Sequence, residues 1–466
     1  MLNSTTKLFV LILLLLAGGC NKETLTPNHE ETPDVETQLE IIASLRSVSI
    51  NDSQEVEFSV FCGDNDVTEL STIYKFEEGR STKLASNNFI ISHEGENLFY
   101  ALYEGVLTAK VAVIGVVDPL LLSAESNYVA LESDAPLQFR VECRGVDITE
   151  STTLYAVEDH NGGRPMDGHS LTFDSIGEYN FYAIYNDIPS NEITIRVLNK
   201  ILEPLPDPEP SKYDSFKRRV LAIHMADAGC SPCVDMVRLV HSYLKTPLGE
   251  EIVFSAAHGP LQTVDPMTCL ASTTVIAGLE VKMFPALSFA LTADANFVLS
   301  SADSSVEKNY DKVDAIMESL LSTEVKSSIA ASSTLSDGVI SVRADVKIAS
   351  DGRYGIGIWL LEDGLYHPQA GAAPEELEEL SIHNGVIRDI YPFSKALTID
   401  LGGFSSHKAG TRYECCCDFP LSEIQQYENI DNCRLLIFVY DHSTAFTDNA
   451  ITLKLGESCG YEYIDD

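Results

Sequence analysis

Two cysteines separated by two residues, in Cys230-Ser231-Pro232-Cys233, are the side chains of this sequence best suited to chemistry. An apolar run, Val220-Leu221-Ala222-Ile223, comes shortly before them, and a helical apolar pattern follows them. At the N-terminus of a helix, free backbone N–H groups and the helix dipole favour the thiolate form of a cysteine. The pattern therefore predicts a dithiol–disulfide pair at a strand-to-helix junction, with Cys230 as the exposed nucleophile and Cys233 as the resolving thiol.

The elements that must position this pair lie within residues 213–323, where the patterns predict the order β-α-β-α-β-β-α. The segment Met283-Phe284-Pro285-Ala286-Leu287 leads into the predicted strand Ser288-Phe289-Ala290-Leu291. This order, with Pro285 at the place of a cis-proline, resembles the thioredoxin fold. The resemblance implies that a cis bond brings backbone beside the sulfurs, so Cys230, Cys233 and Pro285 form the candidate redox site.

Three departures from the thioredoxin pattern leave the chemistry of the pair open. Gly229 stands where thioredoxins have tryptophan, His224 stands where they keep a buried acid, and the gap to the proline is 55 residues (285 − 230). His224 is either a base near neutral pH or a buried, hydrogen-bonded histidine. The cysteine pair either exchanges disulfides or forms a stable disulfide on a binding scaffold. Cys269 is a third redox thiol or a packed one, and a zinc site that includes it lacks a fourth ligand.

The N-terminus predicts export and attachment to lipid. Lys7 is followed by an apolar run over residues 8–16, which is too short to span a bilayer and fits a signal peptide. The following Ala17-Gly18-Gly19-Cys20 resembles a bacterial lipoprotein processing box. The resemblance implies that residues 1–19 are removed and that Cys20 is acylated; the alternative is an ordinary signal with an incidental cysteine. Residues 20–36, polar and acidic, are expected to be a disordered tether.

Length and charge exclude some classes of function. The chain has 466 residues, which is too many for one core, so several domains are expected. Its 31 basic and 70 acidic residues give a formal charge of −39 at pH 7. Such a surface repels a phosphate backbone, so nucleic acid is not an expected partner. Eleven cysteines fit an oxidising compartment outside the cytoplasm.

An internal repeat precedes the cysteine pair. Three motifs recur 81 or 82 positions apart, as in the pairs Cys62/Cys143 (143 − 62) and Phe99/Phe181 (181 − 99). Short alternating runs with Gly, Asn and Asp between them predict two immunoglobulin-like β-sandwiches, over residues 37–115 and 116–199. They resemble the spacer modules of bacterial cell-surface proteins. Cys62 and Cys143 share the phase of the buried residues, so each is expected to be a thiol buried in its own core.

Residues 200–212 form a proline-rich linker, with Pro204-Leu205-Pro206-Asp207-Pro208-Glu209-Pro210 at its centre. Proline at every second position predicts a stiff, extended segment that lifts the following modules away from the repeats.

Residues 324–466 show only strand patterns and predict a C-terminal antiparallel β-sandwich. Alternation places Cys415 and Cys417 on one face of a strand and Cys416 on the other. Disulfides are favoured over metal binding for these cysteines together with Cys433 and Cys459, and a Cys416–Cys433 pair between neighbouring strands is one candidate.

Three further stretches carry a family resemblance, namely the Glu362-Asp363-Gly364 turn, Gln369 and His383-Asn384-Gly385-Val386-Ile387-Arg388. Placed after a thioredoxin-like domain, they resemble the Gram-negative outer-membrane-protein-twenty-eight lipoprotein family, although Gly385 replaces a histidine common there. The resemblance spans roughly residues 216–455. It implies an outer-membrane lipoprotein with thioredoxin-like and β-sandwich modules; the two immunoglobulin-like repeats are an addition to that plan.

The sequence thus predicts a multidomain protein: two tandem immunoglobulin-like β-sandwiches, a thioredoxin-like α/β domain and a C-terminal antiparallel β-sandwich. We expect it to be held in the outer membrane by its N-terminal lipid and to bind envelope or extracellular proteins, with no cofactor and no metal. The first alternative is a thiol–disulfide oxidoreductase that uses Cys230 and Cys233. The second is an adhesin or glycan-binding surface protein.

Overall fold

The computed structural model describes residues 39–464, apart from 64, 132, 134, 160–161, 260–264, 303–304 and 404–405. The predicted signal peptide, Cys20 and the tether lie outside the described residues. The described chain consists mainly of β-sheets with few helices. Within these ranges, none of the helices has both the length and the apolar character that crossing a membrane requires.

The two repeats have the same strand order. In each repeat, a four-stranded sheet packs against a six-stranded sheet. In the first repeat, the four-stranded sheet has the order β1-β3-β4 with β7 beside β3, and the six-stranded sheet has the order β2-β10-β8-β5-β6 with β9 beside β8. The second repeat has the same order, with every strand number higher by ten. Strands β1–β10 are Leu39–Ala43, Ser47–Ser49, Glu55–Cys62, Asn65–Asp66, Thr72–Glu77, Arg80–Lys83, Asn88–Ile90, Gly95–Tyr103, Val106–Leu107 and Val111–Val116. Strands β11–β20 are Leu120–Ala124, Tyr128–Ala130, Leu137–Cys143, Val146–Asp147, Thr153–Asp159, Gly162–Pro165, Ser170–Leu171, Gly177–Tyr185, Ile188–Pro189 and Ile193–Leu198.

Equivalent aromatic pairs hold the two sheets of each repeat together. The ring centroids of Phe58 and Phe99 are 4.4 Å apart in the first repeat, and those of Phe139 and Phe181 are 4.9 Å apart in the second. Alternation turns these side chains inward, because every second residue of a strand faces the opposing sheet. Cys62 and its equivalent Cys143 pack against these cores but are only partly buried, since each lies at the end of its strand.

Equivalent turns join each repeat to the module that follows it. Arg46 of the first repeat lies 4.3 Å from the ring centroid of Tyr182 in the second and pairs with Glu192 at 3.3 Å. At the equivalent position of the second repeat, Asn127 Nδ2 donates to Gly402 O at 3.3 Å. Tyr128 beside it packs with Leu198 and Cys416.

Residues 213–464, here called the head, contain the remaining strands and the helices. Strands β21–β35 are Val220–Ala226, Ile252–His258, Ala286–Phe289, Val298–Leu299, Ser327–Ser336, Val339–Ile348, Tyr354–Glu362, Leu365–Tyr366, Ile382–His383, Val386–Tyr391, Ile399–Asp400, Thr411–Pro420, Cys433–Asp441, Phe446–Lys454 and Ser458–Cys459. Helices α1–α4 are Cys233–Tyr243, Leu270–Gly278, Val306–Leu321 and Leu377–Leu380. Short 3₁₀ turns occupy Thr68–Leu70, Thr149–Ser151, Gly249–Glu251, Ala295–Phe297, Leu401–Gly403 and Ile430–Asn432.

One sheet runs through both segments that the sequence assigns to separate domains, 213–323 and 324–466. Its order is β24-β23-β21-β22-β30-β27-β33-β34, with β31 beside β27. The join is the parallel pairing of β22 with β30, where Ala256 is opposite Val386 and its N–H donates to Gly385 O at 2.7 Å. A strand from the second segment thus completes the sheet of the first.

The faces of this long sheet are covered by different elements. Helices α1 and α3 cover one face of its first half, through Leu239, Val313 and their neighbours, and α2 covers the opposite face. The second half packs against the four-stranded sheet β32-β26-β25-β35. Residues of β27 alternate between the two cores, with Ile358 in one and Trp359 in the other. The head therefore has continuous packing across the predicted boundary.

The linker does not lift the head away from the repeats, because it packs on the head's four-stranded sheet. Lys347 of β26, which is 0% exposed, pairs with Asp207 at 2.8 Å and donates to Glu209 O at 2.6 Å. Its ammonium also lies 4.8 Å from the ring centroid of Tyr461 and 5.1 Å from that of Tyr213. A buried charge must be paired, and the linker supplies the pairing groups.

Two local predictions are corrected by the structure. The strand predicted at residues 288–291 is Ala286–Phe289, because Ala290 and Leu291 have positive φ angles (55° each) that end the extended backbone. The candidate pair Cys416–Cys433 is wrong, since both thiols are free and their strands belong to different sheets.

The remaining thiols of the C-terminal segment are also unpaired. Cys415, Cys417 and Cys433 lie in the core between the two head sheets, and Cys459 packs against it. Cys416 turns the other way, toward the second repeat, which agrees with the predicted alternation. Burial raises the pKa of these thiols, to about 11 for Cys415 and about 12 for Cys433. They are therefore packing residues with little thiolate at neutral pH.

Candidate functional site

The site begins where β21 ends. All seven residues of this strand are buried, as expected for a central strand with partners on both sides. The chain then turns at Asp227, whose carboxylate accepts the Gly229 N–H at 2.7 Å and whose backbone carbonyl accepts the Cys230 N–H at 3.0 Å. These two bonds set the direction in which Cys230 leaves the sheet.

Cys230 and Cys233 form a disulfide, with their Cα atoms 5.3 Å apart. Helix α1 begins at Cys233, directly after Pro232, a position where a missing N–H costs nothing. Cys233 is 0% exposed, whereas Cys230 is half-buried and its neighbours Ser231 and Pro232 are exposed. Cys230 is therefore the more exposed of the two cysteines.

Pro285 lies next to the end of the strand that carries the cysteines. The Phe284–Pro285 peptide bond is cis. Pro285 is buried, and the following Ala286 pairs with Met225, four residues before Gly229. The structure thus brings Cys230, Cys233 and Pro285 to the same end of the sheet.

A buried Asp–His pair lies beneath the disulfide loop. Asp265, 2% exposed, accepts the Ala228 N–H at 2.8 Å and lies 2.8 Å from His258 Nδ1. Burial alone would raise the pKa of Asp265, but the hydrogen bonds from His258 and the backbone amides outweigh it and lower that pKa. Asp265 is thus an ionised carboxylate that ties the loop to the end of β22.

Two further histidines lie close to this pair, and both are neutral. Burial lowers the pKa of His383 to about 4, and its ring is 5.2 Å from that of His258. Burial, together with the nearby His258 and His383, lowers the pKa of His224 to about 3. His224 Nε2 has no hydrogen-bond partner among the described residues. His224 is therefore a buried neutral side chain and does not act as a base near neutral pH.

Residues 363–385, here called the cap, cover the disulfide loop from the C-terminal half of the head. The Gln369 side-chain amide donates to Cys230 O at 3.2 Å and to Ala228 O at 3.3 Å. The Ala370 N–H donates to Ala228 O at 2.8 Å. At Gly371, whose φ is +85°, a Cβ atom would lie 2.7 Å from Ser231 O. The cap therefore contacts the backbone between the two cysteines, and at Gly371 there is no space for a side chain.

The cap is also attached to helix α1. Leu380 packs against Val234 and Val237 of the helix. Arg238 makes a bidentate pair with Glu376, with Nε–Oε1 and Nη2–Oε2 distances of 3.0 and 2.9 Å. Through this bond the Glu376 carboxylate raises the pKa of Arg238, and the Arg238 guanidinium lowers the pKa of the Glu376 carboxyl. The cap thus contacts both the loop and the helix that hold the disulfide.

A buried ion pair fixes the base of the cap. Glu362, 0% exposed, accepts from Arg388 Nε at 2.7 Å and from the Asn429 N–H at 2.6 Å. Asp363 accepts the Gly385 N–H at 2.6 Å, which closes the two ends of the cap on each other. Glu362, Gln369 and Arg388, which carry the family resemblance in the sequence, therefore build the surroundings of the disulfide.

Cys269 is a packing residue. Its Sγ donates to Ile387 O at 3.2 Å and accepts the Ser272 N–H at 3.4 Å at the start of α2. Burial raises the pKa of this thiol. Within the described ranges, no group of three or more His, Cys, Asp or Glu side chains is arranged to hold a metal ion.

Sequence patterns found the cysteine pair and Pro285 but missed the side chains that surround them. Asp227, His258 and Asp265 carry no motif, because their importance depends on which strand ends meet. A weak signal existed for the first two, since each polar residue lies at or just after the carboxyl end of a buried parallel strand. No local signal pointed from Gln369 to a loop 139 residues earlier.

No protein-family model matches this chain, and no curated protein matches it. Among solved structures, HBP35 of Porphyromonas gingivalis is similar at 15% identity and a TM-score of 0.41, over 52% of this chain and 76% of that one. A domain of the outer membrane lipoprotein Omp28 from the same organism is similar at 18% identity and a TM-score of 0.17, over 28% of this chain and 89% of that one. Fibronectin(III)-like modules of Clostridium thermocellum CbhA are similar at 12% identity and a TM-score of 0.15, over 36% of this chain and 92% of that one. All three TM-scores are below 0.5, so none of these similarities assigns a function to this chain.

Proposed function

We propose that this chain is a lipid-anchored envelope protein whose head exchanges disulfides at Cys230 and Cys233. In this proposal residues 39–199 are two immunoglobulin-like spacers, and residues 213–323 are a thioredoxin-like module merged with a C-terminal β-sandwich. The observation that carries the proposal is the asymmetry of the disulfide: Cys230 is half-buried ahead of helix α1, while Cys233 is wholly buried. The partner is another envelope or extracellular protein that carries a dithiol or a disulfide.

The exchange has two steps. A thiolate of the partner dithiol attacks Cys230 Sγ, the Cys230–Cys233 bond breaks, and Cys233 leaves as a thiolate. The second partner thiol, once deprotonated, attacks the partner sulfur of the mixed disulfide, and Cys230 leaves as a thiolate. The partner loses two electrons and becomes a disulfide, while its two protons end on Cys230 and Cys233. The reverse sequence oxidises the head.

The buried histidines do not supply those protons. His224 and His383 are neutral at pH 7, because burial holds their pKa values near 3 and 4. Their role in the proposal is to fill the space beneath the loop, and proton exchange runs through solvent on the exposed side of Cys230.

The rival function is a binding head in which the same disulfide is structural. The observation that favours it is the cap, which covers the backbone between the cysteines through Gln369 and Gly371. A structural disulfide resists the glutathione pool, with a reduction potential below about −300 mV.

Redox titration of the purified full chain separates the two functions. The oxidised protein is equilibrated in dithiothreitol or glutathione buffers, and the Cys230–Cys233 pair is followed by mass spectrometry of alkylated peptides. We expect a potential above about −300 mV and reduction of an insulin disulfide by the reduced chain. Cys230→Ser should abolish insulin reduction, while Cys62→Ser should leave it intact. A reduction potential below that value, together with no insulin reduction that depends on Cys230, would contradict disulfide exchange and favour the binding head.

The anchor is tested separately. Cys20→Ser should abolish incorporation of labelled palmitate and release the protein from the membrane fraction, while Cys62→Ser should change neither. Protease shaving of intact cells then shows whether the head faces outward. Membrane retention of the Cys20→Ser protein would contradict the lipid anchor.

A further inference from the structure

The cap covers the backbone of the disulfide loop on the side that faces the C-terminal half of the head. Two hydrogen bonds from Gln369 fix the carbonyls of Ala228 and Cys230. Gly371 lies so close to Ser231 that a single added carbon would be 2.7 Å from the Ser231 carbonyl oxygen. A polypeptide segment needs about 5 Å to lie beside another one, so it cannot enter between the cap and the loop.

The contacts that hold the cap down differ in strength at its two ends. At its base, Asp363 accepts from the Gly385 N–H and pairs with Arg434 at 2.8 Å, next to the buried Glu362–Arg388 pair. At its far side, the cap is held by the Arg238–Glu376 pair, in which both side chains are partly exposed, and by Leu380, which packs against Val234 and Val237 of α1. Partly exposed ion pairs are weak, whereas buried pairs are expensive to break. The buried ion pair lies at the base, so opening from the helix side costs less than detaching the base.

We infer that the cap is a gate over the proposed exchange site: it lifts from the Cys230 loop to admit a protein dithiol, and small thiols react without that opening. The inference rests on the proposed function and adds to it a control of access by size. A small reductant needs only access to the disulfide at the partly buried Cys230. A folded partner also needs the backbone surface that Gln369 and Gly371 cover.

Two single substitutions in the full chain loosen the gate by different means. Glu376→Gln removes one charge of the Arg238 pair on the surface of the cap. Gly371→Ala adds a carbon against Ser231 at a position whose φ of +85° already disfavours any side chain. Glu158→Gln is the matched control, because Glu158 pairs with Arg164 in an exposed ion pair of the second repeat.

The test compares two reductants on the oxidised chain: dithiothreitol as the small dithiol and a reduced thioredoxin as the protein dithiol. Rates are read from alkylation of Cys230 over time. We expect each loosening variant to raise the rate with thioredoxin about threefold to tenfold, the range of one weak ion pair or hydrogen bond, and to change the rate with dithiothreitol less than twofold. Glu158→Gln should change neither rate.

The outcomes separate the gate from the proposed function. If dithiothreitol reduces the disulfide rapidly and the ratio of the thioredoxin rate to the dithiothreitol rate is unchanged in both variants, the gate is contradicted. The proposed exchange site is then unaffected. Equal acceleration by both reductants would also overturn the gate, since the disulfide itself would then have changed. Resistance of the disulfide to dithiothreitol in the parent and in both variants would overturn the proposed exchange and the gate with it.

Discussion

Burial sets the charge of the side chains beneath the disulfide. His224 and His383 are neutral because a cation in that dry space would lack solvation, and Asp265 stays ionised because three hydrogen bonds reach its carboxylate. The cysteines show the same rule, since burial raises the pKa values of the Cys269 and Cys415 thiols. The charge of these side chains therefore follows burial as well as residue type.

The neutral histidines make the stability of the head depend on pH. Their pKa values in the folded state, about 3 and 4, are below the value of about 6.5 in an unfolded chain, so the unfolded state binds more protons between these limits. The contribution of these histidines to the free energy of unfolding is thus complete above about pH 6.5. It falls as the pH is lowered, by up to about 1.4 kcal/mol per pH unit for each histidine. Urea denaturation at pH 7, 6 and 5 measures this slope. His224→Gln should reduce the slope, and an identical slope in that variant would contradict the assignment.

The Glu362–Arg388 pair should be one of the most sensitive positions of the head. Both side chains are almost wholly buried, so removing one partner leaves an uncompensated charge. We expect Glu362→Ala to lower the free energy of unfolding by about 3–5 kcal/mol. Asp351→Ala, which breaks the exposed pair with Lys408, should cost about 1 kcal/mol or less. Denaturant titration of both variants gives the comparison, and similar losses would show that burial does not decide the effect.

At the scale of elements, long-range contacts assign roles that local patterns do not. The proline-rich linker packs on β26, because Lys347 needs its carbonyls and Asp207. The cap is a small insertion of two short strands and one helical turn, yet it closes over a loop of another segment. In both cases a polar group that burial would otherwise leave unsatisfied determines where the element lies.

Lys347 should hold the linker against the four-stranded sheet of the head. Lys347→Met keeps most of the side-chain volume but removes the charge that holds Asp207 and the carbonyls of Glu209 and Lys212. We expect faster proteolysis within residues 200–212 and unchanged proteolysis of the cap. Limited digestion followed by mass spectrometry of the fragments measures both. Lys408→Met, at an exposed ion pair, is the control and should leave the linker protected.

At the scale of the whole molecule, the continuous sheet makes the head a single folding unit. Residues 213–323 lack β30, which covers the edge of β22, and lack Trp359 and Leu436, which complete the core above α2. An uncovered central strand with half a core is not a stable domain. The two repeats are different, since each has its own core.

We therefore expect residues 213–323 alone to be unfolded or aggregated and residues 213–464 to be folded. Far-UV circular dichroism and the dispersion of amide signals in NMR spectra distinguish these states. In the full chain, the head should unfold in one cooperative transition by calorimetry. A well-folded 213–323 fragment would show that the shared sheet is not required.

Features that depend on local pattern are readable from the amino-acid sequence. The duplication appears in residues repeated 81 or 82 positions apart, and the strand–helix junction at Cys230 and Cys233 appears in apolar spacing, because both kinds of pattern repeat along the chain. Three features become visible in the folded chain alone: β30 joins the first segment to the second, Gln369 reaches the Cys230 carbonyl, and Lys347 holds the linker. These contacts join residues more than 100 positions apart, and the physical need that creates them, to pair buried edges and polar groups, leaves no periodic trace in the sequence.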